Sequence, residues 1–77
     1  MNKQRRKELS EVISMIEAAK EKLEALKEEE EEYRDNMPEN LQGSSKYEKA
    51  DEACDNLDTA VSSLDEAIEA INEAAGE

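Results

Sequence analysis

The side chains with chemical reach in this sequence are one thiol, Cys54, and a run of carboxylates: Asp51, Glu52, Asp55, Asp58, Asp65, Glu66, Glu69 and Glu73. There is no His among the 77 residues, so neither a Ser-His-Asp nor a Cys-His arrangement can be assembled within the chain. Ala50 and Asp58 lie one helical turn to either side of Cys54. Nothing basic lies one turn away on its own helix to stabilise a thiolate, and a small buried hydrophobe is the expectation. A dinuclear metal bundle would need inward Glu and His from several helices, and a calcium loop needs alternating oxygen ligands around a central Gly. Neither pattern occurs, so the sequence predicts no catalytic residue, no metal and no cofactor, and a protein that is not an enzyme.

The carboxylates must be carried on something. Tyr47, Ala50, Cys54, Leu57, Val61, Leu64, Ile68, Ile71 and Ala75 follow one another at alternating steps of three and four, which places them on one stripe of a single helix. Upstream, Leu9, Val12, Ile16, Ala19, Leu23, Leu26, Glu30, Tyr33 and Met37 repeat the spacing, with Ile13 widening the face and a charge interrupting it at Glu30. Two helices with one apolar stripe each, separated by a short break, predict an all-α fold: an antiparallel, coiled-coil-like two-helix hairpin forming a single domain over residues 1–77. The expected spans are 3–35 for helix one, 36–44 for the connection and 45–75 for helix two. Glu30 on the stripe implies either a wet layer there or pairing with Arg34 or Lys27; Glu17 with Lys20 and Glu24 with Lys27 are further candidates at three-residue spacing.

Stop and start signals bound the helices. Met37 precedes Pro38 and is biased away from helical backbone; Asn36 can cap, and Met37 and Leu41 can fold inward over the end of the hairpin. Ser45 followed by Glu48 has the spacing of a capping box. Ala53, Ala60, Ala67 and Ala74 recur every seven residues beside the helix-two stripe, and Ala18 and Ala25 share the interval in helix one. Such Ala either serves as a good helix former or provides a second packing surface, which would close a dimeric four-helix bundle. A thin core in so short a chain makes a homodimer the expected assembly.

Ten Lys and Arg against 22 Asp and Glu give a net charge of −12. Residues 1–27 carry seven of the bases and five of the acids, residues 28–77 the remaining three and 17. The basic run Lys3, Arg5, Arg6 and Lys7 opposes the dipole of helix one, and Glu69, Glu73 and Glu77 oppose that of helix two; an antiparallel hairpin would let them offset each other. From Asp51 to Glu73 there is no Lys or Arg, so helix two should repel nucleic acid and attract basic protein surfaces. The longest uncharged stretch is far below the roughly 18 residues of a membrane span. No apolar segment follows the basic N-terminus as in a secretory signal, and a single Cys fits a reducing compartment. The expectation is a cytoplasmic protein with no membrane and no direct nucleic-acid contact.

The stretch Glu32-Tyr33-Arg34-Asp35-Asn36-Met37-Pro38-Glu39-Asn40-Leu41-Gln42-Gly43-Ser44, followed by Tyr47 and an Ala- and Asp-rich helix, resembles a family of small acidic helical proteins encoded by phages and mobile elements of Gram-positive bacteria, mostly hypothetical. The resemblance would span nearly the whole chain, and its specific part is the connection from Asn36 to Gln42. It implies an accessory role in an infected or element-carrying bacterium and transfers no catalytic residue.

Together these observations predict an accessory protein that binds, and by binding inhibits, a basic or nucleic-acid-binding bacterial protein. Its partner surface would be Asp51, Asp55, Asp58, Asp65, Glu66, Glu69 and Glu73, presented as a DNA mimic. The alternatives are solubility alone for the acidic face, and a non-catalytic homo-oligomeric scaffold for the whole protein.

Overall fold

The computed structural model describes residues 1–76 and shows two helices packed against each other as a hairpin, with no sheet among those residues. Helix α1 is Lys3–Asp35 and helix α2 is Ser45–Ala75, joined through a short 3-10 turn at Glu39–Leu41. The molecule is a rod of 59 × 15 × 12 Å.

Each end of each helix has a local cause. The Asn2 side chain accepts the Arg5 backbone N–H at 2.8 Å, satisfying one of the free donors of the first turn of α1. At the far end, the Asn36 N–H reaches the Glu32 carbonyl. Pro38 then turns the chain in extended backbone and caps the 3-10 turn. Helix α2 starts differently from the Ser45–Glu48 box that the spacing predicts. Ser44 is the cap: its hydroxyl accepts from the Tyr47 N–H at 3.4 Å while donating to the Leu41 carbonyl. One hydroxyl therefore closes the connection and opens the helix, which a Ser one residue later could not do. Met37 folds inward over the hairpin end and is buried, whereas Leu41 remains 38 % exposed.

The helix α2 stripe is inward as expected. Ala50, Cys54 and Val61 are buried, and Tyr47, Leu57, Leu64, Ile68, Ile71 and Ala75 are half-buried. Helix α1 departs from expectation in half of its stripe. Leu9, Ile16, Leu23 and Glu30 are half-buried, but their companions are Ile13, Lys20, Lys27 and Arg34 rather than Val12, Ala19, Leu26 and Tyr33. The observed steps of four and three from Leu9 to Met37 are regular. They turn the helix by one residue from the most apolar face, and three cations stand on the seam. The core is thin: among the described residues no side chain is fully enclosed.

Candidate partner-binding surface

The three inward cations explain the rotation of α1. Lys20 Nζ is 2.6 Å from Asp65 Oδ1, Lys27 Nζ 2.9 Å from Asp58 Oδ1, and Arg34 Nη1 3.0 Å from Asp51 Oδ1. Successive pairs are spaced seven residues apart on both helices, and in every pair the residue numbers sum to 85. That constancy shows the helices running antiparallel with one register along the rod. In each rung the base is the more covered partner: the side chains of Lys20, Lys27 and Arg34 are 27, 24 and 20 % exposed, those of Asp65, Asp58 and Asp51 52, 68 and 51 %. The aliphatic stems lie along the seam and the charged heads emerge to meet carboxylates on α2.

These pairs set the local electrostatics. The hydrogen bond that Lys20 donates to Asp65 raises the Lys20 pKa above its ordinary value against a smaller opposing effect of burial, and the hydrogen bond that Lys27 donates to Asp58 does the same for Lys27. The Arg34 guanidinium is raised first by Asp35, whose Oδ1 lies 3.0 Å from Nε, and also by Asp51. The pairings anticipated within α1, and those between Glu30 and Arg34 or Lys27, are replaced by contacts across the hairpin. The offset of helix ends also differs from expectation: among the described residues no ion pair joins Lys3, Arg5, Arg6 or Lys7 to Glu69 or Glu73, and Glu77 lies outside the described residues.

The seven proposed partner-binding acids therefore fall into two groups. Asp51, Asp58 and Asp65 sit beside the seam and are tied to cations of α1. Asp55, Glu66, Glu69 and Glu73 are exposed, as is Glu52, and among the described residues none of them forms an ion pair. The residues that composition alone passes over are Lys20, Lys27 and Arg34. Their signal was the seven-residue interval they share with Asp51, Asp58 and Asp65.

No protein-family model, curated protein or solved structure matches the chain.

Cys54 is buried at the seam, and burial raises its pKa above the ordinary thiol value. Arg34, on the facing helix, pulls in the opposite direction and is outweighed, with Glu31, Glu30 and Asp51 adding to the upward shift. A basic neighbour is thus present from the other helix, although none exists on its own. A protonated thiol is a poor nucleophile. Among the described residues no group of three or more potential ligands is placed to hold a metal ion, and no helix is long and apolar enough to cross a membrane.

A second surface lies opposite the charged rungs. In an antiparallel pair, the positions flanking the seam on one side of α1 meet their counterparts on the same side of α2. The rungs mark one side. On the other side run Arg5, Val12, Ala19, Leu26 and Tyr33 from α1, and Lys46, Ala53, Ala60, Ala67 and Ala74 from α2. Val12, Leu26 and Tyr33 are 39, 48 and 50 % exposed, and Met15 beside them is 68 % exposed. Ala18 and Ala25, matched by interval to the helix-two Ala, are exposed and lie outside these two columns.

Proposed function

We propose that the protein is a non-catalytic interaction module that holds the outer side of α2 against a basic surface of a bacterial protein, and so competes with phosphate-containing ligands of that surface. The observation that carries this reading is the set Glu52, Asp55, Glu66, Glu69 and Glu73, exposed on one rigid helix without an ion pair among the described residues. They extend over roughly 31 Å at the rise of an α-helix. Five charges over that length amount to about one per 6 Å, sparser than one strand of DNA at about 3.4 Å per charge. Adding the rung acids Asp51, Asp58 and Asp65 brings the spacing to about 4 Å, but those three are already partly neutralised. The surface is accordingly better suited to drawing in a cluster of Lys and Arg than to copying a phosphate backbone charge for charge. Its association should be fast and salt-sensitive.

The resemblance carried by the connection from Asn36 to Gln42 is what extends this reading to an accessory protein of a phage or mobile element acting in the bacterial cytoplasm. The decisive experiment is recovery of partners from a Gram-positive bacterial lysate with the wild-type chain and with a charge-reversed Asp55, Glu66, Glu69 and Glu73 variant. Among the described residues none of these four holds the hairpin together through an ion pair, so helicity should survive. A discrete basic or nucleic-acid-binding protein should be retained by the wild type and released by the variant. No specific partner, or equal retention by both, would leave the acids with a solubilising role only.

A further inference from the structure

We infer that the side of the hairpin opposite the charged rungs is a dimer interface, and that its occupant is a second copy of this chain seated with α1 over the partner's α2.

The argument begins with charge. The chain has 22 acidic residues and a net charge of −12, so two copies repel each other across almost any surface they share. The two columns Arg5, Val12, Ala19, Leu26, Tyr33 and Lys46, Ala53, Ala60, Ala67, Ala74 contain no acid at all. The neighbouring outer positions on α2 are Lys49, Asn56, Ser63 and Ala70, also free of acid. Every carboxylate of α2 is thus confined to the rung side and the outside. The outer positions beside the α1 column are Glu8, Met15, Lys22 and Glu29. With α1 seated over the partner's α2, those two carboxylates meet the acid-free flank of α2, so copies can approach on this face without setting carboxylate against carboxylate.

Shape points to the same occupant. The α1 column carries the bulk, in Val12, Leu26 and Tyr33, all substantially exposed. The α2 column carries only Ala between Ala53 and Ala74. The register defined by the rungs sets Leu26 level with Ala60, Tyr33 with Ala53 and Val12 with Ala74, in each case to within a residue. A twofold axis parallel to the rod would carry the α1 column of one copy onto the Ala column of the other at the same level. Large side chains would then enter the space that small ones leave, in each layer and in both directions. A twofold axis across the rod would instead stack α1 on α1, large on large, and α2 on α2, small on small. The first arrangement also makes every neighbouring helix pair antiparallel, as in an up-down four-helix bundle.

The area is sufficient. The columns run about 42 Å from Arg5 to Tyr33 at helical rise. On a rod 59 Å long and 15 Å wide, the face offers roughly 600 to 900 Å² per copy, against about 800 Å² per partner in a standard stable interface. Dimerisation would cover the exposed Val12, Leu26 and Tyr33 while leaving Glu52, Asp55, Glu66, Glu69 and Glu73 outside.

Sedimentation equilibrium of the full chain across micromolar to submillimolar concentration tests the assembly. The expected mass is twice the 8.7 kDa of the chain. Leu26→Glu, at an exposed position of the face, should weaken association at least about tenfold with unchanged helicity. Ala60→Glu, at a half-buried position beside the hairpin seam, should do the same, with helicity measured alongside to separate loss of the dimer from loss of the hairpin. A monomer mass throughout, or a dimer unaffected by both substitutions, would overturn the interface. Its geometry is tested by oxidative cross-linking in a Cys54→Ala background, mixing a Leu26→Cys chain with an Ala60→Cys chain. Predominance of the mixed disulfide supports α1 over the partner's α2. Predominance of the Leu26→Cys self-pair would overturn that arrangement.

Discussion

Lys27 Nζ and Asp58 Oδ1 meet at 2.9 Å across the hairpin, joining positions 31 residues apart in the chain. The pair is the middle of three rungs in one register, and each cation occupies a seam position where an apolar side chain would ordinarily stand. Exposed ion pairs are individually weak, so the expected consequence is selection of alignment more than strength. Lys27→Asp should lower the urea midpoint by placing two carboxylates together, and Asp58→Lys added to it should recover at least half of the loss. Failure of the double substitution to recover anything would show that Lys27 acts through its stem alone.

Val61 and Val12 are the same residue type in opposite situations, one 9 % and the other 39 % exposed. Val61→Ala should cost about 1 to 2 kcal/mol from lost burial at the seam. Val12→Ala, measured at concentrations low enough to keep the chain monomeric, should cost less than about 0.5 kcal/mol. Equal losses would mean that the α1 face is rotated from the one described.

Ser44 and Ser45 can be told apart in the same way. Ser44→Ala removes the hydroxyl that caps α2 and bonds to the Leu41 carbonyl, and should cost about 1 kcal/mol. Ser45→Ala, at the first helical position, should be neutral or slightly stabilising, since Ala is the better helix former. Thermal melts followed by circular dichroism would read both.

How far the sequence announced this architecture depends on the helix. In α2, each inward position from Tyr47 to Ala75 is readable because apolar residues occupy all nine. In α1, the column Leu9, Ile16, Leu23, Glu30 and Met37 is readable even with a charge in it. Its companion column is not: Val12, Leu26 and Tyr33 are more apolar than Lys20, Lys27 and Arg34, so hydrophobic periodicity selects the wrong neighbours by one residue. A long basic side chain can cover apolar surface with its stem while its head stays wet, and a hydropathy pattern assigns it to solvent. The partition of the candidate site was hidden for the same reason. Asp51, Asp58 and Asp65 look like their neighbours until their partners on α1 are known. The spacing places the cap one residue late because Ser45–Glu48 satisfies a local pattern, while the bond from Ser44 to Leu41 depends on how the connection folds.

Alkaline pH should destabilise the hairpin in two steps. Burial holds the Cys54 thiol protonated above its ordinary value of 9.0, and carboxylate partners hold Lys20 and Lys27 protonated above 10.5. For all three groups the native state retains protons that the unfolded chain releases, so stability falls as pH rises. Below the unfolded values their contributions are fully present. The urea midpoint should be level between about pH 7 and 8, decline once pH passes 9.0, and decline further beyond 10.5. Cys54→Ala should abolish the first decline and leave the second. A Cys54→Ala chain that still weakens near 9.0 would assign that step to another group.

Glu30 is the remaining irregularity in the α1 seam, half-buried in a column otherwise made of Leu9, Ile16, Leu23 and Met37. It stands in the run Glu28 to Glu32, and the Arg34 one turn away makes its contacts with Asp35 and Asp51. Like charges at adjacent positions raise the energy of the folded helix, and a carboxylate half-covered by the partner helix loses part of its hydration. Glu30→Leu would remove both costs and add apolar area at the layer that faces Cys54, with an expected gain of about 1 kcal/mol in denaturant stability. Glu29→Leu, in the exposed position beside it, removes the same charge without adding burial at the seam and should change stability by less than half as much. Measuring both at low and high salt separates the two causes, because only the repulsive part is screened. If Glu30→Leu destabilises the hairpin at both salt concentrations, the carboxylate is instead a structural element of that layer, and its removal should also shift the reactivity of the Cys54 thiol.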